Sequence, residues 1–341
     1  MVELIYFFWP VSFIMSFIIS LVTIKVSIQF LKKTKTIDIP NERSSHIIPT
    51  PKGAGLGIIA TLLIVYYTFL PLTDFWLMGS IIIITILSFL NDNKQVSIII
   101  RLIVQMILTI IVLNFWPPLK DIILFNSIVP IWLEFIIIFL LIIWVINLFN
   151  FMDGIDGISG TQCIIIGVGV GLSLFLSQEE YKLEKILAGF MAGSSLAFLF
   201  WNWHPAKVFL GDAGSIPLGF INAILILLLC KNGLWFVAII INNYYFFDAS
   251  ITLLRRIKMK KKPWKAHKEH FYQKAIINGY SHSKVCKIIG THGILLIFLS
   301  SLATVQSNLI IIVISIVISS LSTIYLLYYL NKKPKNLMKV I

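Results

Sequence analysis

The sequence predicts an all-α protein, a polytopic membrane bundle of about 11 crossing helices, and three observations carry that prediction. The chain has 341 residues, of which 58% are hydrophobic and only 13% charged. Its mean hydropathy is +0.92, a value that a water-soluble domain of this size does not sustain. Apolar stretches of about 17 to 22 residues recur from end to end, so the chain reads as a single integral-membrane domain, 1–341, with no room for a separate extramembrane domain.

Taken in order, the expected helices span 4–24, 54–70, 75–90, 98–115, 131–147, 160–177, 186–202, 214–230, 234–253, 290–306 and 309–330. The first is not a secretory signal: Glu3 stands where a basic segment belongs, and the apolar run is too long. The second follows two prolines, Pro49 and Pro51, that stiffen its approach, and begins in alternating glycines. The third ends at Ser88-Phe-Leu-Asn-Asp-Asn-Lys94 and the fourth opens near Arg101; the fifth ends in Asn147-Leu-Phe-Asn150. Asp153-Gly-Ile-Asp-Gly157 precedes the sixth, and the seventh leads into Asn202-Trp-His-Pro205. Gly211-Asp-Ala-Gly-Ser215 opens the eighth, with Ser215 as its expected cap. Asp248 lies near the end of the ninth, and the last two follow the longest polar loop.

An odd number of crossings puts the termini on opposite sides. With the N-terminus outside and the C-terminus cytoplasmic, the inner loops are 25–53, 91–101, 148–159, 203–213 and 254–289. Of 28 Lys and Arg, only Lys120, Lys182, Lys185 and Lys231 then fall outside, as the positive-inside rule requires. The net charge of +13 therefore belongs to loops beside anionic membrane lipid and anionic substrate, and no nucleic acid is expected. Cys163, Cys230 and Cys286 form no CxxC pair and no disulfide framework.

The chemistry-bearing residues crowd into these inner loops. Asn147, Asn150 and Asp153 succeed one another at three-residue spacing on one helical face. A carboxylate at the bilayer centre costs about 2.5 to 3.5 kcal/mol, so such a cluster belongs at the interface. Asp212 between Gly211 and Gly214 suits a hard cation held by few oxygens, and Mg2+ fits best because it keeps waters and accepts phosphate oxygens. Arg43, His46 and Lys52 are candidates for gripping phosphate. The loop from Arg255 to Ile289 holds eleven basic residues and the pair His267 and His270, which lack the partners of a zinc motif. The helix-turn-helix look of 266–289 is taken as coincidental in a loop tethered to the membrane at both ends.

Four ordered motifs resemble the polyprenyl-phosphate N-acetylhexosamine-1-phosphate transferase family (glycosyltransferase family 4). They are Asp38-x-Pro-Asn-x-Arg-x-x-His46 with Thr50-Pro-Lys-Gly53, Asn147-x-x-Asn-x-x-Asp-Gly-Ile-Asp-Gly157, Asn202-x-x-Pro-Ala-x-x-Phe-x-Gly-Asp-x-Gly-Ser215, and the Asp248, Arg256, His270 run. The resemblance covers residues 38–273. It implies a Mg2+ site (Mn2+ as a substitute) at Asp212 with Asn150, and catalytic roles for Asp92, Asp153 and Asp156. Asp153 and Asp156 fall where the family lines its nucleotide and pyrophosphate pocket. Arg43, His46, Lys52, Asn147, Asn202, Arg255, Arg256, His267 and His270 are implied on the substrate side, the two histidines at the sugar phosphate.

The implied reaction transfers HexNAc-1-phosphate from a UDP-N-acetylhexosamine to undecaprenyl phosphate, releasing UMP, at the cytoplasmic face of the inner membrane. The spacing HxxHxYQ is closer to the O-antigen-initiating branch than to the UDP-MurNAc-pentapeptide transferases of peptidoglycan synthesis. One departure stands out: the family's paired acids are here Asn91-Asp92, and Asn91 cannot accept a proton. A lipid-linked sugar transporter or flippase is the rival reading, disfavoured because the acids lie at helix ends and no internal repeat is evident. A homodimer is left open.

Overall fold

The computed structural model describes residues 7–40, 48–71, 74–120, 122–124, 128–262 and 267–333. Among them are twelve helices: α1 (Phe8–Lys33), α2 (Gly55–Phe69), α3 (Phe75–Lys94), α4 (Ile98–Phe115), α5 (Ile131–Phe151), α6 (Ile158–Leu176), α7 (Lys182–Asn202), α8 (Asp212–Lys231), α9 (Trp235–Lys258), α10 (Phe271–Ile277), α11 (His282–Gln306) and α12 (Leu309–Leu330). A two-stranded antiparallel ribbon, β1 (Ile37–Asp38) and β2 (Thr50–Pro51), lies between α1 and α2. Ten of the helices are long and apolar enough to cross a membrane, and α2 is a shorter apolar helix. The protein is a polytopic helical membrane protein, and all eleven expected apolar helices are present.

The boundaries differ where charge interrupts an apolar pattern. The first helix runs to Lys33 rather than ending at 24. Ile24, Ile28 and Leu31 stay buried beyond the lone Lys25, and Lys32 and Lys33 in the last turn suit the negative end of the helix. Its connection to α2 therefore starts at 34, not 25. Residues 91–94 and 148–151 likewise belong to helices, and the polar stretch 254–289 is largely helical. Its two halves, α10 and the start of α11, do form a helix-turn-helix shape; Ser281 caps α11 by accepting from the Lys284 N–H at 3.3 Å.

α8 is the central post: nearly every residue from Ala213 to Leu229 is buried. It packs against α3 and α5, and more lightly against α2, α7 and α9. α1 lies along α7, and α6 fills the space between α7 and α11. These contacts rely on small residues, as membrane helices do when no water is present to drive them together. Ser12, Ser16 and Ser20 make a buried stripe on α1. Gly55 touches Gly214 so closely that a Cβ would come within 2.2 Å of the Gly214 backbone, which locks the start of α2 onto the start of α8. That contact, with the backbone bonds from Gly53, Ala54 and Gly55 to Phe209 and Leu210, holds Lys52 beside the N-terminus of α8.

Candidate active site

The ends of α3, α5, α7 and α9 and the starts of α2, α4, α8 and α11 meet at one end of the bundle, where the sequence concentrates its acids. Asp212, the first residue of α8, is the hub. Its Oδ1 accepts from Asn150 Nδ2 at 2.9 Å. Its Oδ2 accepts from Asn91 Nδ2 at 2.7 Å and Arg101 Nη1 at 2.9 Å. Asn150 also donates to Ser215 Oγ at 2.9 Å. Four helices, α3, α4, α5 and α8, thus converge on one carboxylate.

Asp92 works beside it in a different way. One carboxylate oxygen accepts the Asp212 N–H and the other the Ala213 N–H, each at 3.0 Å, so a side chain from α3 caps α8. Ser215, expected as the cap, instead donates back to the Gly211 carbonyl at 3.2 Å. Its hydroxyl lies one turn inside the helix, where that carbonyl is the group within reach. Gly211 has φ +73°, and a Cβ there would come within 2.5 Å of Asp92 Oδ2, so glycine is needed for the cap to close. Lys52 Nζ pairs with the fully buried Asp92 carboxylate at 2.9 Å. Burial alone would lower the Lys52 pKa, but the Asp92 and Asp212 carboxylates outweigh it and hold the ammonium charged.

Asp153 and Asp156 share a short loop and have opposite electrostatics. Asp153, whose Oδ1 accepts from Ser159 Oγ at 2.7 Å, is pushed up to about 7, chiefly by burial. Ser159 and the Lys52 charge pull it down, while Asp212 and Asp92 push it further up. The folded protein therefore binds this proton more tightly than the unfolded chain, and between about pH 4 and 7 the fold loses stability at this group as pH rises. Asp153→Asn should remove that slope. Its thermal midpoint should exceed that of the parent at pH 8 and match it near pH 4, with a ceiling of about 4 kcal/mol; parallel curves would refute the raised value.

Asp156 is surrounded by nitrogen atoms. Its Oδ2 lies 2.6 Å from His204 Nδ1 and 3.4 Å from His282 Nδ1, and accepts the Ala206 N–H at 3.2 Å. Burial alone would raise its pKa, but the two imidazoles and the Ala206 N–H together lower it. The carboxylate thereby ties three chain segments together. Neither histidine was singled out from sequence; a His-Pro step and a Ser-His step on the same side of the membrane were the only signals.

Other expected residues bond within the protein. Asn202 accepts the Gly157 N–H and donates to the Val208 carbonyl, so both ends of its amide brace backbone. Asn147 donates to Gln105 Oε1 and the Ile143 carbonyl. Arg256 is buried and pairs with Glu269, and Arg255 lies over the Phe271 ring. His270 is buried with Nδ1 3.1 Å from Asp248 Oδ1. That carboxylate also accepts the Phe271 and Tyr272 N–H groups and so caps α10. Tyr272 then reaches the Phe151 carbonyl at 3.0 Å, seating α10 on the end of α5. His267, lowered to about 4 by burial and then by His270 and Arg256, is neutral at physiological pH. Arg43 and His46 lie outside the described residues.

Within this multi-pass bundle, whose acids, amides and basic groups gather at one end, residues 75–230 match the model of Glycosyl transferase family 4. That segment runs from α3 through α8 and so includes Asn91, Asp92, Arg101, Asn150, Asp153 and Asp212. The chain is 29% identical over 294 residues to the probable undecaprenyl-phosphate N-acetylglucosaminyl 1-phosphate transferase of Bacillus subtilis, covering 80% of this chain and 79% of that protein. It is 28% identical over 257 residues to the undecaprenyl-phosphate alpha-N-acetylglucosaminyl 1-phosphate transferase of Thermotoga maritima, covering 74% and 77%. A phospho-N-acetylmuramoyl-pentapeptide-transferase of Streptococcus gordonii is 30% identical over 125 residues, 36% of this chain and 38% of that one.

Proposed function

We propose that the protein transfers N-acetylhexosamine-1-phosphate from a UDP-N-acetylhexosamine to undecaprenyl phosphate, releasing UMP and starting a cell-surface polysaccharide such as O-antigen. The observation that carries this reading is the hub at Asp212, where Asn91, Arg101 and Asn150 meet one carboxylate at the polar end of the bundle. The relatives that align over most of this chain carry N-acetylglucosaminyl transfer in their names, whereas the pentapeptide transferase of S. gordonii aligns over about a third of it. The positive-inside distribution of Lys and Arg turns this end toward the cytoplasm.

The residues fit a hard cation. Asp212 supplies a carboxylate and Ser215 a hydroxyl; the Asn150 amide nitrogen faces both, and a flip of that amide would turn its oxygen toward them. All are oxygen donors, the set that Mg2+ prefers beside phosphate. When bound, the ion would neutralise charge on the diphosphate. An oxygen of the undecaprenyl phosphate attacks the sugar-proximal phosphorus, the bond from that phosphorus to the bridging oxygen of UMP breaks, and UMP carries away the negative charge. The acceptor monoester, with a second pKa near 6, is already largely dianionic and needs no strong base. Lys52 and Arg101 balance charge on the phosphates, and the rest is positioning. Asn91 belongs to this arrangement as a donor: an acid there would set two carboxylates 2.7 Å apart.

Purified protein in lipid or detergent should release UMP from a panel of UDP-HexNAc donors only when undecaprenyl phosphate and Mg2+ are both present. UMP release that persists with chelator refutes the metal assignment, and activity with UDP-MurNAc-pentapeptide alone would move the protein to the other branch.

A further inference from the structure

Behind the Asp212 hub, three segments bring a second group of ligating atoms together. Asp156 comes from the α5–α6 loop, His204 from the α7–α8 connection and His282 from the first turn of α11. One carboxylate oxygen and two imidazole nitrogens lie within 4.8 Å of one another. Asp156 and His282 are buried, with side chains 7% and 6% exposed, while His204 is 40% exposed. The two rings sit 4.6 Å apart, tilted by 48°.

The hydrogen-bond geometry turns a nitrogen lone pair of His282 toward the Asp156 loop. The Asp156 N–H donates to His282 Nδ1 at 3.3 Å, which requires a lone pair on that nitrogen. The same nitrogen faces the Asp156 carboxylate oxygen at 3.4 Å. His204 Nδ1–H can bring one proton to that oxygen, but nothing then separates the His282 lone pair from the carboxylate. We propose that Asp156, His204 and His282 form a site for a borderline transition-metal ion, Zn2+ by preference.

Tetrahedral zinc holds nitrogen and oxygen at about 2.0 to 2.2 Å, which sets ligand atoms about 3.3 Å apart. The 3.4 Å pair already matches; the 2.6 Å pair, and the two imidazole nitrogens that lie within 4.8 Å of each other, come to that spacing by a turn of the exposed His204 ring. Two imidazoles and a carboxylate suit Zn2+ and reject Mg2+, the reverse of the all-oxygen donors at Asp212. The exposed flank of His204 provides the way in and leaves the fourth position to water. Bound there, the ion clamps the loop that carries Asp153 to the α7–α8 connection and to α11. This inference does not depend on the transfer reaction.

The test is a titration of the detergent-purified full-length protein, stripped with chelator, using Co2+ as a visible-spectrum probe and Zn2+ counted by elemental analysis. One equivalent of Co2+ should bind with a tetrahedral spectrum, be displaced by Zn2+, and resist millimolar Mg2+. His204→Gln, on a ring 40% exposed, should weaken binding about tenfold or more, as should His282→Gln. Asp212→Ala and His267→Gln should leave it unchanged. Absence of saturable Co2+ binding in the parent protein overturns the proposal and reduces the group to a hydrogen-bonded clasp. So does binding that survives His204→Gln or disappears with His267→Gln.

Discussion

Asp212→Ala should abolish sugar-phosphate transfer, with turnover falling at least about 10^2- to 10^3-fold, the loss seen when one preorganised electrostatic group is removed from a reacting centre. The effect is larger than that of a single contact because the carboxylate anchors three donors from three other helices. Without it, Arg101 keeps its charge but loses the acceptor that orients it, and Asn150 is free to turn toward Ser215 alone. Asp212→Asn separates shape from charge: it preserves volume and one oxygen but offers a hydrogen-bond donor where Arg101 and Asn91 also donate. It should be nearly as inactive. Equal amounts of variant and parent in the membrane fraction, measured by immunoblot, rule out failed insertion. Near-normal UMP release by Asp212→Asn would remove the carboxylate charge from the mechanism.

Asp92→Ala should damage both stability and activity. It uncaps two N–H groups of α8 and leaves the Lys52 ammonium without its nearest partner. Loss of the cap costs about 1 kcal/mol and the orphaned charge raises the total to about 2 to 4 kcal/mol. Thermal unfolding in detergent measures it. Because Lys52 and Asp92 touch, their effects must not add: Lys52→Met combined with Asp92→Asn should cost less than the two single changes together. Additivity within about 0.5 kcal/mol would mean that the pair does not act as one unit. Activity should fall further than stability, since α8 carries Asp212 on the turn that Asp92 holds.

The bundle was legible because lipid imposes length and apolarity on every crossing segment, and that signal survives without knowledge of packing. Polar helix ends were not, as α1 and α11 illustrate. Each continues past a basic residue that hydropathy treats as a stop, Lys25 in one and Lys287 in the other, because the opposite face stays buried. The Asp212–Asn150 pairing was accessible from motif spacing and topology together. Arg101 and Asn91 as its other partners were not, since which helix ends touch depends on packing angles that the sequence does not display. Ser215 was misjudged for a related reason: a local cap was inferred, whereas the structure supplies one from a residue 120 positions away. His204 and His282 lie far apart in the chain, and neither belongs to a compact pattern that would have joined it to Asp156.

The capping of α8 by Asp92 also bears on how anions are held. A free helix N-terminus is a ready receptor for phosphate, built from main-chain N–H groups that no substitution can remove. Here that receptor is already filled by the protein's own carboxylate. In the proposed reaction, a diphosphate arriving at this end of the bundle would be gripped by side chains, with Lys52 and Arg101 closest to hand. Affinity for the anionic donor is thereby written in replaceable residues, and it can be retuned one position at a time without disturbing the helix on which the site stands.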